Sequence, residues 1–146
     1  YMKDKRLAET MALVVLGHHD DAHRAEIAAL EERFAGSNFV VRPFEIMDRA
    51  GWLDTGLGPA EPHHRLRGCE NLGSRPLEHL HITAAGRVVF CCEDYDEIHT
   101  VGDLSRQSVD EVLTGDEIAE LRRWTYGIEE APGDFICRNC LFALTE

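Results

Sequence analysis

Five cysteines, Cys69, Cys91, Cys92, Cys137 and Cys140, constrain this chain more than any other feature of its sequence. Their odd number, with no N-terminal stretch laid out as a secretory signal, argues against a disulfide framework and for reduced thiols that bind metal or do chemistry. A Cys-x-x-Cys such as Cys137 to Cys140 aims two sulfurs the same way from one short turn. Cys69 and the Cys91-Cys92 pair stand at turning points of the chain, where further ligands are available. Four thiolates suit either a tetrahedral zinc or a 4Fe-4S cluster. A thioredoxin-like redox pair needs its motif at a helix N-terminus inside a βαβ unit, and this motif lies near the chain end with no helix or strand expected after it.

The chain has 146 residues, with 15 Lys and Arg against 27 Asp and Glu, a formal charge of −12. Such an acidic surface repels phosphate backbones, so neither nucleic acid nor an anionic membrane is an expected partner. The longest clean apolar run, residues 11–16, is far too short to span a bilayer. The expected location is cytoplasmic. Residue 1 is Tyr rather than Met, so the chain is expected to be cut from something longer.

The first third predicts strand, helix, strand. Met11 to Leu16 is apolar throughout, as in a strand buried on both faces, and ends at Gly17 before the polar loop His18-His19-Asp20-Asp21. Asp20 or Asp21 caps a helix from about Ala22 to Phe34, with Ile27, Leu30 and Phe34 at helical spacing. Residues 39–41 form a second strand ending at Arg42-Pro43. Two apolar strands joined by a helix make a parallel βαβ unit, whose open edges call for further strands from a missing part of the chain or a partner. Residues 54–76 are punctuated by Gly and Pro with no period and predict a long irregular stretch. A hairpin follows, Leu80 and Ile82 against Val88 and Phe90 around Gly86, with His79 and His81 on its exposed face. Ser108 and Glu111 form a capping box for one short helix, and Thr114 and Glu117 repeat that signature for a second. The expected fold class is α/β.

In order along the chain come Cys69, the hairpin glycine Gly86 five residues before Cys91, then Asp94, a Gly-Asp-Leu turn at 102–104, a Ser-capped helix, a Leu-Arg-bearing helix and the closing Cys-x-x-Cys. This set, over roughly residues 66–142, resembles the SPASM or shorter twitch auxiliary-cluster domain of radical S-adenosylmethionine enzymes. The resemblance implies one auxiliary 4Fe-4S cluster held by Cys69, Cys91, Cys137 and Cys140. Glycine spacing picks Cys91 over Cys92, which then points to the opposite strand face and packs; Cys92 stays the alternative ligand. With no cysteines for a second auxiliary cluster, the single-cluster twitch type is expected. The Cys-x-x-x-Cys-x-x-Cys that cleaves S-adenosylmethionine in that family does not occur in this sequence. The resemblance therefore implies that residues 1–53 are the closing βαβ of a partial (β/α) barrel, that 54–146 are the auxiliary domain, and that the N-terminal radical core is the partner.

The implied role is electron transfer or formation of the substrate pocket during radical modification, for example dehydrogenation, of a small molecule or peptide. His18, His19 and Arg42, at the carboxyl ends of the two strands, are candidates to meet S-adenosylmethionine or substrate, as is Asp94 beside the cysteine pair. His63 and His64 lie in the loop before Cys69, and Arg122, Arg123 and Arg138 are candidates to offset the charge of a four-thiolate cluster. Two other readings stand beside this one: a structural zinc module serving as an interaction domain, and a non-catalytic cluster-bearing partner protein.

Overall fold

The computed structural model describes residues 9–71 and 73–146; residues 1–8, the start of the first expected domain, and residue 72 lie outside the described residues. The chain divides into two compact units between Met47 and Asp48. Together they make a mixed α/β protein of several small sheets and helices.

In the first unit, strand β1 (Met11–Gly17) pairs in parallel with β2 (Phe39–Glu45), from Met11 opposite Phe39 to Gly17 opposite Glu45. Helix α1 (Asp21–Arg33) connects them. Asp20 is its N-cap, accepting from the His23 N–H at 2.8 Å. His23 itself is buried, its Nε2 3.0 Å from the Val15 carbonyl, in space left open by Gly17, where a Cβ would come within 2.5 Å of the ring. Ile27, Leu30 and Phe34 form the half-buried stripe, and Phe34 packs on Phe39 with ring centroids 4.9 Å apart.

Two expectations change here. Strand β1 is not buried on both faces: Met11, Leu13 and Val15 are half-buried, while Val14 and Leu16 are more than half exposed. Within this unit the helix packs on a sheet of two strands, and one helix covers one face. Strand β2 also continues through Pro43 to Glu45, because an edge strand tolerates the missing N–H. Arg42 therefore lies inside β2, opposite Val14, rather than at the carboxyl end.

The second unit holds the better-packed core. Strands β4 (His81–Ile82), β5 (Arg87–Val89) and β6 (Thr100–Asp103) form an antiparallel sheet. Gly86, at φ +83°, makes the hairpin turn, its N–H donating to the Thr83 carbonyl at 2.9 Å. Helices α3 (Val109–Leu113) and α4 (Asp116–Thr125) follow, and Val88, Phe90, Val101, Val112, Ile118, Leu121 and Phe135 fill the interior. Phe135 is fully buried, with His99, Trp124 and Phe90 around its ring at 5.2, 5.4 and 6.1 Å.

The Ser108–Glu111 capping box is formed in full. The second helix differs: its N-cap is Gly115, while Thr114 closes α3 and donates its hydroxyl to the Asp110 carbonyl at 2.7 Å. Two residues separate the helices, and with Thr114 as the C-cap of the first, Gly115 is left to open the second. The irregular stretch 54–76 contains strand β3 (Leu66–Cys69), and helix α2 (Arg75–Glu78) begins inside it. Strand β3 takes its hydrogen bonds from β7 (Ala143–Thr145), far away in sequence. The hairpin face also differs from expectation. Ile82 is the exposed residue, while His79 and His81 are half-buried with rings stacked at 6.1 Å.

Candidate metal centre

The Cys-x-x-Cys sits on a 3₁₀ turn, Ile136–Asn139, that begins directly after the buried Phe135. Phe135 fixes the start of the turn in the core, and its carbonyl accepts the Arg138 N–H at 2.9 Å. Cys140 closes the turn, donating its N–H to the Cys137 carbonyl at 3.4 Å.

Arg138, between the two cysteines, is buried and clamps the surrounding chain. Its Nε donates to the Pro132 carbonyl at 2.7 Å, and its guanidinium also reaches the carbonyls of His63 (2.7 Å), His64 (2.8 Å) and Ala131, and Glu130 Oε1 (2.7 Å). The loop at His63 answers with its own bonds: its N–H donates to the Arg138 carbonyl at 2.7 Å, and its Nε2 lies 3.1 Å from the Cys140 carbonyl. A guanidinium presents a planar fork of five donors, which suits a junction rich in carbonyls.

Cys69 is the last residue of β3, opposite Ala143 of β7, three residues beyond Cys140. The Glu70 N–H donates to the Phe142 carbonyl at 3.0 Å, so the ladder carries Cys69 to the Cys-x-x-Cys. Cys91 lies two residues past the end of β5 and packs into the core; Cys137 packs against the same core from the other side of the sequence.

The thiols sense one another. Burial, foremost, pushes Cys137 up to about 12, and the neighbouring Cys140 and Cys69 add to the rise. Its thiol is more deeply buried than the half-buried residue as a whole, and the Thr125 hydroxyl lies 3.8 Å from its sulfur. Cys140 is likewise pushed up to about 12, by burial and then by Glu93, Cys69 and Asp48. Cys91 is raised by its hydrogen bond to Cys92, by burial, and in part by Cys137. Thus Cys69, Cys137 and Cys140 are mutual neighbours, and Cys91 joins them through Cys137. Two backbone N–H groups already point at sulfur, that of Glu93 at Cys91 and that of Phe142 at Cys140.

Cys92 takes a different place from the one expected. It does not sit on the opposite face from Cys91; the two thiols share a hydrogen bond, and that bond pulls Cys92 down to about 7. Side chains alternate only along a strand, and β5 ends at Val89, before the pair. The Cys92 sulfur also lies 3.6 Å from Glu93 Oε1.

Residues 69–141, half of the chain, match the family model of SPASM, described as an iron-sulfur cluster-binding domain. The chain belongs to the SPASM family. Neither the curated proteins nor the solved structures gave a match. The binding of an iron-sulfur cluster is therefore the function of the second unit, and the SPASM span opens on Cys69 and takes in all five cysteines.

The donor set fits such a cluster. A single zinc needs each sulfur about 2.3 Å from one point. Among the described residues, no group of three or more His, Cys, Asp or Glu side chains stands together closely enough to hold one metal ion. A four-iron cluster takes one thiolate on each iron, and so spaces its ligands more widely.

The other candidate residues fall in several places. His18 and His19 are exposed just after β1, in the first unit, where the His19 N–H donates to His23 Nδ1 at 3.1 Å. Asp94 is buried, and its two carboxylate oxygens accept the N–H groups of Ile98 (3.0 Å) and His99 (2.7 Å), which fixes the loop after the cysteine pair. Arg122 bonds the carbonyls of Pro76 and Leu113, and Arg123 pairs with Glu129 at 2.7 Å.

Two buried carboxylates were not singled out from the sequence. Asp48 and Glu93 are 2% and 3% exposed, and each has one oxygen, Asp48 Oδ1 and Glu93 Oε2, without a hydrogen-bond partner. Their signal in the sequence was weak, because an acidic residue beside a turn ordinarily faces water.

Proposed function

We propose that this SPASM domain holds one auxiliary 4Fe-4S cluster through Cys69, Cys91, Cys137 and Cys140, and that it serves a radical S-adenosylmethionine enzyme. The observation that carries this reading is that these four thiols, drawn from three separate segments of a family-matched span, influence one another electrostatically, Cys69, Cys137 and Cys140 among themselves and Cys91 through Cys137. Cys91 is favoured over Cys92 because it is the member of the pair that feels Cys137. The two amide N–H groups aimed at Cys91 and Cys140 stabilise thiolate charge, as hydrogen bonds to cluster sulfurs do when they tune reduction potential.

When bound, the cluster supplies a one-electron acceptor. With cysteine on every iron it leaves no position for direct substrate ligation, which favours electron transfer from a substrate radical together with a share in forming the substrate pocket. The chain contains no Cys-x-x-x-Cys-x-x-Cys, so S-adenosylmethionine cleavage falls to a separate radical core. The first unit supports this arrangement: its parallel βαβ unit exposes an apolar sheet face, Val14, Leu16, Val40 and Phe44, of the kind that lines the inside of a partial barrel.

Anaerobic reconstitution with iron and sulfide tests the ligand set. Replacing Cys69, Cys91, Cys137 or Cys140 with Ser is expected to lower bound iron and weaken the brown absorbance, while Cys92→Ser leaves both unchanged. Full loading in Cys137→Ser, or loss in Cys92→Ser with retention in Cys91→Ser, overturns the assignment.

A further inference from the structure

The second unit opens on a turn with a strained backbone. Arg49, Ala50 and Gly51 all take positive φ, at +56°, +53° and +86°, and the first two carry side chains. Left-handed backbone costs free energy at a residue with a Cβ and persists only where the surroundings fix it. Here they do. The Leu53 N–H donates to the Asp48 carbonyl at 2.8 Å, and the Trp52 N–H to the Arg49 carbonyl at 3.2 Å. Arg49 reaches Glu93 Oε1 at 3.4 Å and lies over the Tyr95 ring at 5.3 Å. Trp52 Nε1 donates to Asp96 Oδ1 at 3.1 Å, and the indole packs on Tyr95 with ring centroids 5.1 Å apart. The turn is thus fastened to the loop that follows Cys91 and Cys92. It also lies against the Cys-x-x-Cys turn, where a Cβ on Gly51 would stand 3.5 Å from Asn139 Cβ.

This strained turn holds the Asp48 carboxylate in the interior, 2% exposed. Oδ2 accepts the Gly51 N–H at 3.2 Å and is closed over by Gly58, where a Cβ would come within 2.5 Å of it. Oδ1 has no hydrogen-bond partner. Glu93 has Arg49 as a counter-ion, whereas among the described residues no cationic side chain pairs with Asp48. A buried carboxylate without a counter-ion costs free energy, and one beside a set of thiolates costs more. Asp48 and Glu93 are both among the groups whose charge pushes the Cys140 thiol up, which agrees with the packing of the turn.

We propose that Asp48 is a fixed negative charge beside the Cys140 corner of the cluster and holds its reduction potential down. Reduction adds one negative charge to the centre, and a carboxylate alongside opposes it. Asp48 therefore restricts the electron donor to a strongly reducing one, such as a substrate carbon radical, which is oxidised as the cluster is reduced. This role rests on the reading of the four cysteines as ligands of one cluster.

The test is an anaerobic redox titration of the reconstituted chain, followed by electron paramagnetic resonance, with iron and sulfide quantified on the same samples. Asp48→Asn keeps an oxygen for the Gly51 N–H and loses the charge. Its midpoint is expected about 59 mV or more above that of the unaltered protein, tenfold in the one-electron equilibrium. Asp48→Glu keeps the charge and is expected to stay closer to the unaltered value. Asp54→Asn, which removes an exposed carboxylate from the same segment, is expected to leave the midpoint unchanged, because water and salt screen that charge. An unshifted midpoint in Asp48→Asn with the cluster intact overturns the proposal, as does an equal rise in Asp48→Glu. Loss of the cluster from both Asp48 variants overturns it too and makes the residue structural. An unaltered chain that assembles no cluster defeats the ligand reading, and this role falls with it.

Discussion

At the scale of single residues, the centre depends on side chains that never touch metal. Arg138 is the clearest case. Removing its guanidinium leaves the carbonyls of His63, His64 and Ala131 without their donor at a buried junction and takes one of two donors from Pro132. Arg138→Met is expected to cost about 3 kcal/mol or more in urea unfolding and to speed iron loss to a chelator. Arg138→Lys, which offers a point charge in place of a planar fork, is expected to recover only part of both. Unchanged stability in Arg138→Met contradicts the clamp. The sequence marked Arg138 only as a possible counter-charge, because its position between two cysteines says nothing of which carbonyls fold back over it. The cysteines themselves were legible, since thiols at turning points leave few alternatives. The orphaned oxygens of Asp48 and Glu93 were not, because burial of a carboxylate is a property of the assembled fold.

At the scale of elements, what matters is how β3 is carried to the Cys-x-x-Cys. Gly127, just past helix α4 at φ +66°, lies so close to β3 that a Cβ there would fall 2.2 Å from the Leu66 carbonyl. Gly127→Ala therefore combines a left-handed backbone with a clash against the strand that ends in Cys69. A loss of about 1–3 kcal/mol is expected in urea unfolding, with lowered iron retention. Retention equal to that of the unaltered protein contradicts a role for this contact in placing Cys69. Local signals explain why some elements were readable and others were not. The Asp20 cap, the Ser108 capping box and the Gly86 turn are bonds between near neighbours, so the sequence displays them. Strand β3 is made by pairing with β7 more than seventy residues later, and four residues punctuated by Gly68 carry no period of their own. The burial of β1 was overestimated for a related reason: apolar residues on both faces announce two coverings, and the described unit supplies one.

At the scale of the whole molecule, titration links stability to the state of the centre. Burial holds His81 and His99 below the ordinary value of 6.5, so both favour the neutral form when folded. Their contribution is present above pH 6.5 and is lost as pH falls below it. Cys137 and Cys140 act oppositely. Raised from 9.0 to about 12, they favour the protonated form when folded, and in the metal-free chain that stability declines as pH rises above 9. Thermal melts of the metal-free protein are expected to plateau between these limits, and His81→Gln with His99→Gln to flatten the acid side. Because protonated thiols must release their protons to bind iron, cluster assembly is expected to strengthen with rising pH across the neutral range.

The central claim is that four cysteines from three segments hold one four-iron cluster. Mössbauer spectroscopy of the chain reconstituted anaerobically with enriched iron, with iron and sulfide quantified on the same sample, tests it most directly. The account predicts about four irons and four sulfides per chain and the averaged valence of a cubane. One iron without sulfide, or zinc that iron and sulfide do not displace, would contradict it.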